Sequence, residues 1–197
     1  MHWFVVFGII VVGAVGLAFL VKSRSSGVSK SGMHITSVLH VNVNCSNFDR
    51  SRQFYEMLGF RVLMHVEPNG PPEVAAAVGM PSYVVRGALL AHRDGTVIDL
   101  LEWQDPRDGQ PPYKKLNHLG LGRIAFSTTN IDADMQRLQQ EGVGFLSEQP
   151  AGVKDPLGGT TRFICFKDPD GTVLELVQMG TIMGMLQRAS QLAAKQT

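Results

Sequence analysis

Cysteine is almost absent: Cys45 and Cys165 are the only two in 197 residues. That is too few for a disulfide scaffold or a zinc-finger pattern. Both read as reduced, partly buried strand residues. An excess of one charge is also missing. Lys and Arg total 18 against 17 Asp and Glu, a net charge of +1, which leaves no electrostatic footprint for nucleic acid.

Long hydrophobic runs are confined to one place. Trp3–Val21 carries no charge and no proline over 19 residues, close to the length that spans a bilayer as a helix. A secretory signal normally carries a basic segment ahead of its apolar stretch. Here Lys22, Arg24 and Lys30 follow the run and no Lys or Arg precedes it. The expectation is a retained single-pass membrane anchor over 1–21, with the body of the chain in the cytoplasm. Residues 22–33 are rich in Ser, Gly and Lys and read as a flexible linker.

What the chain does have is a repeat. At an offset of 83, Val38–Gly59 aligns with Leu121–Gly142 without a gap, matching Asn47, Asp49, Gln53 and Gly59 to Asn130, Asp132, Gln136 and Gly142. At an offset of 76, Asp94–Leu101 (DGTVIDLL) falls on Asp170–Val177 (DGTVLELV). A period this long is no solenoid; it marks a duplicated module whose halves pair.

Each copy opens on alternating apolar residues, SVLHVNVN and LGRIAFST, the period of a half-buried strand. Ser46 or Asn47, and Thr129 or Asn130, then cap helices that close at Gly59 and Gly142. Three further strands follow in each copy: Arg61–Val66, Tyr83–His92 and Thr96–Trp103, then Gly144–Leu146, Thr161–Phe166 and Thr172–Gln178. The pattern is βαβββ twice, an α+β body over 34–180 with modules 34–104 and 117–180. The excursion Glu67–Ser82 has the length of a lid or a plain insertion, with a short helix at Pro72–Val78. Residues 181–197 read as a C-terminal helix.

Parity locates the chemistry. In VIDLL and VLELV the acids Asp99 and Glu175 alternate with residues that face the helices. A carboxylate set into a sheet is costly to desolvate without a cationic or metal partner. Having one at the same place in both copies suggests a shared site near the pseudo-axis, with His40 and Arg123 from the first strands. Acids facing solvent on an exposed sheet is the alternative. Arg86, Tyr83 and Trp103 lie in the same sheet and read as a solvated arginine and packing aromatics.

HVNVNCSNFDRSRQFYEMLGF, GRIAFSTTNIDADMQRLQQEG and the two DGT strands resemble the vicinal oxygen chelate superfamily over about Ile35–Gln178. That superfamily contains glyoxalases, extradiol dioxygenases, fosfomycin-resistance proteins and bleomycin-binding proteins. The resemblance implies paired modules forming an open, cup-shaped mixed sheet. It also implies a metal held by His40, Asp99 and Glu175, with Glu175 and Arg123 in catalytic roles. Metal-binding members usually carry His where this chain has Arg123. Arginine has no lone pair to donate, and its charge repels a cation or satisfies an acid directly.

Two readings of function stay open. One is a glyoxalase-like lyase or isomerase in which Ni, Zn, Mn, Co or Fe polarises a small oxygenated, anionic metabolite. The other is a metal-free module that binds or sequesters a small molecule, as the bleomycin-resistance relatives do. Dioxygenase chemistry is less favoured because one of two expected histidines is missing. A homodimer follows by analogy. His118 reaches the site only through a register shift at Gly120 or Gly122.

Overall fold

The computed structural model describes residue 35 and residues 37–194. Each βαβββ module forms its own mixed sheet. In the first, β1 (Val41–Asn44), β2 (Arg61–His65), β3 (Val84–Ala91) and β4 (Val97–Asp105) lie in the order β1-β4-β3-β2. In the second, β5 (Ile124–Thr128), β6 (Ala151–Lys154), β7 (Thr160–Lys167) and β8 (Val173–Gln178) lie in the order β5-β8-β7-β6. The first strand of each module runs parallel to its last, and the other pairings are antiparallel. The expected α+β class and paired modules are present. Hydrogen bonding divides the strands into two four-stranded sheets rather than one continuous sheet.

Helices α1 (Phe48–Met57) and α3 (Ile131–Gln140) start at the asparagines read as caps. Asn47 Oδ1 accepts from Arg50 N at 3.0 Å and Asn130 Oδ1 from Ala133 N at 3.1 Å, each satisfying an N–H that has no partner in the first turn. The duplication repeats a second clasp. Glu102 Oε2 accepts from Phe48 N at 2.9 Å, and its counterpart Gln178 Oε1 accepts from Ile131 N at 3.0 Å. The last strand of each module thereby fixes where its helix begins. Gly59 and Gly142 end the helices at φ +98° and +80°, a backbone that side chains disfavour.

One hydrophobic cluster runs through both modules, including Phe48, Tyr55, Phe60, Ile98 and Leu100 with Ile131, Leu138, Ile164, Phe166 and Leu174. Residues Leu39–Gln187 form a compact unit. Alternation then decides the opposite sheet face. Since Ile98, Leu100, Leu174 and Leu176 fill the core, Asp99 and Glu175 stand on the sides of their sheets away from the helices.

Several expectations are corrected. The segment Gly144–Leu146 forms no strand; Phe145 makes a lone bridge to Phe166, and the outer partner of β7 is Ala151–Lys154. The membrane-spanning helix, and the single-pass placement that rested on it, are not supported. No helix among the described residues is long and apolar enough to cross a membrane. The longest, α4 (Thr181–Ala194), has 14 residues, short of the roughly 20 a span needs. The run Trp3–Val21 and the segment 22–33 lie outside the described residues. Within the excursion, α2 (Pro72–Ala77) is the expected short helix.

Candidate functional site

Two pairs of a basic and an acidic side chain occupy repeat-equivalent positions. In the first module His40 Nε2 lies 3.9 Å from Asp99 Oδ2, and in the second Arg123 Nε lies 3.0 Å from Glu175 Oε2. His40 and Arg123 sit at the entries of β1 and β5, Asp99 and Glu175 in the strands beside them. The sequence reading expected all four residues to share one site; the structure brings them together as two separate pairs. No hydrogen bond or ion pair joins the two pairs among the described residues.

The pairs differ in saturation. Asp99 Oδ1 is buried without a hydrogen-bond partner. Burial pushes that carboxyl above its ordinary value, opposed by His40 and by Asn42. Glu175 is 6% exposed and takes the Arg123 guanidinium on one oxygen. Its other oxygen, Oε1, lies 3.9 Å from Cys165 Sγ. The hydrogen bond to Glu175, then the attraction of its charge, raises the Arg123 guanidinium further above its usual range. Burial raises the Cys165 thiol, as does Glu175, while Arg123 pulls it down.

These residues fit a divalent ion poorly. An open metal site needs about three converging protein donors. Among the described residues no group of three or more His, Cys, Asp or Glu side chains is placed to hold one. The first module offers two donors, His40 and Asp99, and in the second the carboxylate already holds a guanidinium.

Other candidates resolve into structure. Arg86 turns to the helix side, where Asp49 takes both its Nη atoms at 2.8 Å and Phe48 lies beneath it at 5.1 Å. Tyr83 packs edge-on to Trp103, whose indole donates to Asn44 at 2.8 Å. His118 is exposed near Tyr113 and does not enter the site. An open cleft of about 680 Å³, lined by Leu58, Arg61, Leu63, His92 and Arg93 among others, includes none of the four paired residues. It brings together no buried polar groups, so the paired acids mark the better candidate.

Sequence reasoning missed Cys165 and Lys167 as residues of the site. Alternation puts the two on one face of their strand, but only the register between strands sets them beside the acid. Cys165 pairs in register with Glu175, Lys167 with Val173 and Phe163 with Val177, so these six share a sheet face.

The comparisons agree with this architecture. The family model for the Glyoxalase/Bleomycin resistance protein/Dioxygenase superfamily matches residues 37–176. A Vibrio cholerae protein named "Probable lactoylglutathione lyase" is 30% identical over 146 residues, 72% of this chain and 89% of its own. The crystal structure of a glyoxalase family protein from Bacillus cereus superposes with a TM-score of 0.64 at 19% identity, over 76% of this chain and 98% of that one. One from Enterococcus faecalis gives 0.53 at 27% identity, over 74% and 100%. By sequence and by fold, the chain belongs to the Glyoxalase/Bleomycin resistance protein/Dioxygenase superfamily.

Proposed function

We propose that the chain binds a small oxygenated anion, without a metal, on the sheet face of its second module that lies away from the helices. The observation that carries this is the Arg123–Glu175 pair at 3.0 Å. A fixed guanidinium supplies the positive charge that a metal would otherwise supply. Arg123 remains 44% exposed, so its Nη atoms are free to meet a carboxylate or phosphate. Glu175 acts here as the partner of Arg123 rather than as a metal ligand. The test is ligand binding by wild type and Arg123→Ala across matched anionic and neutral oxygenated compounds. Selective loss of the anions supports the reading; equal loss of both refutes it.

A glyoxalase-like lyase or isomerase is the second reading. It is favoured by the unpartnered buried oxygen of Asp99 beside His40 and by the relatives whose printed names are lyases. In that case His40, Asp99 and Glu175 would bind the metal, which would polarise the substrate oxygens, and Glu175 would carry the proton. Metal content after chelator-free purification, with activity assayed against added Ni, Zn, Mn, Co and Fe, separates the two.

A homodimer is part of the proposal. Leu39, Leu119 and Leu121 flank the paired residues at 77%, 97% and 52% exposure. Covering them with a second copy removes apolar surface from water. Sedimentation equilibrium showing only monomer at micromolar concentration would refute it.

A further inference from the structure

The second-module face carries a cation with no acidic partner among the described residues. Lys167 lies on β7 opposite Val173, and Arg123 stands one residue before the Ile124–Leu174 pair, level with that same valine. Arg123 and Lys167 therefore flank Val173 two strands apart, roughly 10 Å between backbones at ordinary strand spacing. Lys167 is exposed, and no carboxylate among the described residues lies within 4 Å of its ammonium. Glu175 offsets one of the two positive charges and leaves the other unmatched. Next to them Phe163, Val177 and Ala125 occupy the same face.

We infer that Arg123 and Lys167 form a two-pronged receptor for the carboxylate of a monoanionic ligand with an apolar body, and that Lys167 sets its specificity. This deepens the anion-binding reading and rests on it. Glu175 is a positioning residue: it engages the Arg123 Nε and leaves the two Nη donors to grip the ligand, while Lys167 closes on the carboxylate from the other side. Phe163 and Val177 receive the apolar body. A dianion fits less well, because its second charge meets the Glu175 carboxylate with no further cation to match it.

Cys165 supplies an independent reporter. Its thiol sits between Lys167 and Phe163 on this face, next to Glu175. Cys45 is 8% exposed and pushed up to about 12, first by burial and then by Asp170, so it stays silent toward thiol reagents.

The experiment titrates the full chain with phenylacetate, phenylacetamide and inorganic phosphate by calorimetry. In parallel, the rate of N-ethylmaleimide addition at Cys165 is followed by intact mass. The expected result is that phenylacetate binds best and slows labelling of Cys165. Lys167→Gln should then weaken phenylacetate about tenfold, the loss expected for one charge-assisted contact, while leaving labelling of the free protein unchanged. Glu175→Gln should weaken phenylacetate too, by loosening Arg123, without changing metal content. If Lys167→Gln binds phenylacetate as wild type does while Arg123→Gln does not, the two-pronged receptor is wrong and the anion-binding reading stands. Phosphate binding tighter than phenylacetate also overturns the monoanion preference. If phenylacetamide binds as well as phenylacetate, or if neither anion binds, both readings fall together.

Discussion

Tyr55 donates its phenolic hydroxyl to Asp168 Oδ2 at 3.0 Å, joining the helix of the first module to a turn of the second. Both are buried, at 0% and 5% exposure. Asp168 Oδ1 meanwhile accepts the backbone N–H groups of Asp170, Gly171 and Thr172 at 2.8–3.0 Å. The residue that shapes the β7–β8 turn therefore also helps to tie the modules together. Removing the hydroxyl leaves Asp168 Oδ2 buried without a donor, which costs about 1–3 kcal/mol. Tyr55→Phe should lower the stability measured by urea denaturation by that amount, with an unchanged denaturant slope. A loss below about 0.5 kcal/mol would show that the hydroxyl contributes little beyond the ring's packing.

Asp170 makes the same seam sensitive to acid. Its carboxylate accepts from Ser46 N at 3.0 Å, Arg50 Nη2 at 2.6 Å and Ser51 Oγ at 3.2 Å, and also from the Ser46 hydroxyl. Burial opposes ionisation, yet the hydrogen bonds from Ser46 and Arg50 hold the group below its ordinary value. A depressed folded-state pKa stabilises above the unfolded value, about 3.9, and that stability is lost as pH falls through the folded value. Asp168, raised chiefly by burial, works the other way: it holds its proton longer in the folded state, so stability declines as pH rises through that window. Asp170→Asn should lower stability at pH 7 and flatten the decline below about pH 4. An acid limb unchanged from wild type would assign the acid sensitivity to other carboxylates.

The other conspicuous repeated contacts should matter little. Arg86 grips Asp49 through both Nη atoms at 2.8 Å, and its repeat counterpart Arg162 grips Asp132 at 2.6 and 2.8 Å. The Arg86–Asp49 side chains are 50% and 51% exposed, and Asp132 is 65% exposed. Solvent screens such pairs to about 1 kcal/mol or less. Arg162→Gln should shift thermal unfolding by no more than a few degrees, about 3 °C for a chain of this size. Arg86→Gln should cost slightly more, because the guanidinium also covers the Phe48 ring. A loss of several kcal/mol from either would mean that these pairs anchor the helices rather than decorate them.

What could be read in the sequence followed from local rules. The offsets of 83 and 76 located both helices, because Asn47 and Asn130 supply cap oxygens and Gly59 and Gly142 supply the positive φ that ends them. Parity located Asp99 and Glu175 because Ile98, Leu100, Leu174 and Leu176 had to face the core. The strand at Ala151–Lys154 was missed because all four of its residues are exposed, so no burial pattern marks it. Phe145 drew the reading upstream because it packs on Phe166 without entering the ladder. The Tyr55–Asp168 link depends on how one module seats against the other, and no local period encodes that. Nor did alternation alone single out Cys165 and Lys167. They gain meaning only from the register that sets them beside Glu175 and Val173.

The Arg123–Glu175 pair offers the sharpest test, because its two members can be removed singly and together. Glu175 is buried and Arg123 is its ion-pair partner. Removing one member of a buried pair leaves an uncompensated charge, at up to about 3–5 kcal/mol. The partly exposed guanidinium argues for less than that, on the order of 2–3 kcal/mol. Arg123→Leu should lower the stability measured by urea denaturation at pH 7 by that amount. Arg123→Leu combined with Glu175→Leu should recover most of the loss, since neither member of the pair is then left without its partner. If Arg123→Leu is as stable as wild type, Glu175 does not depend on Arg123 as its partner. The cation that the anion-binding site requires would then lack its anchor.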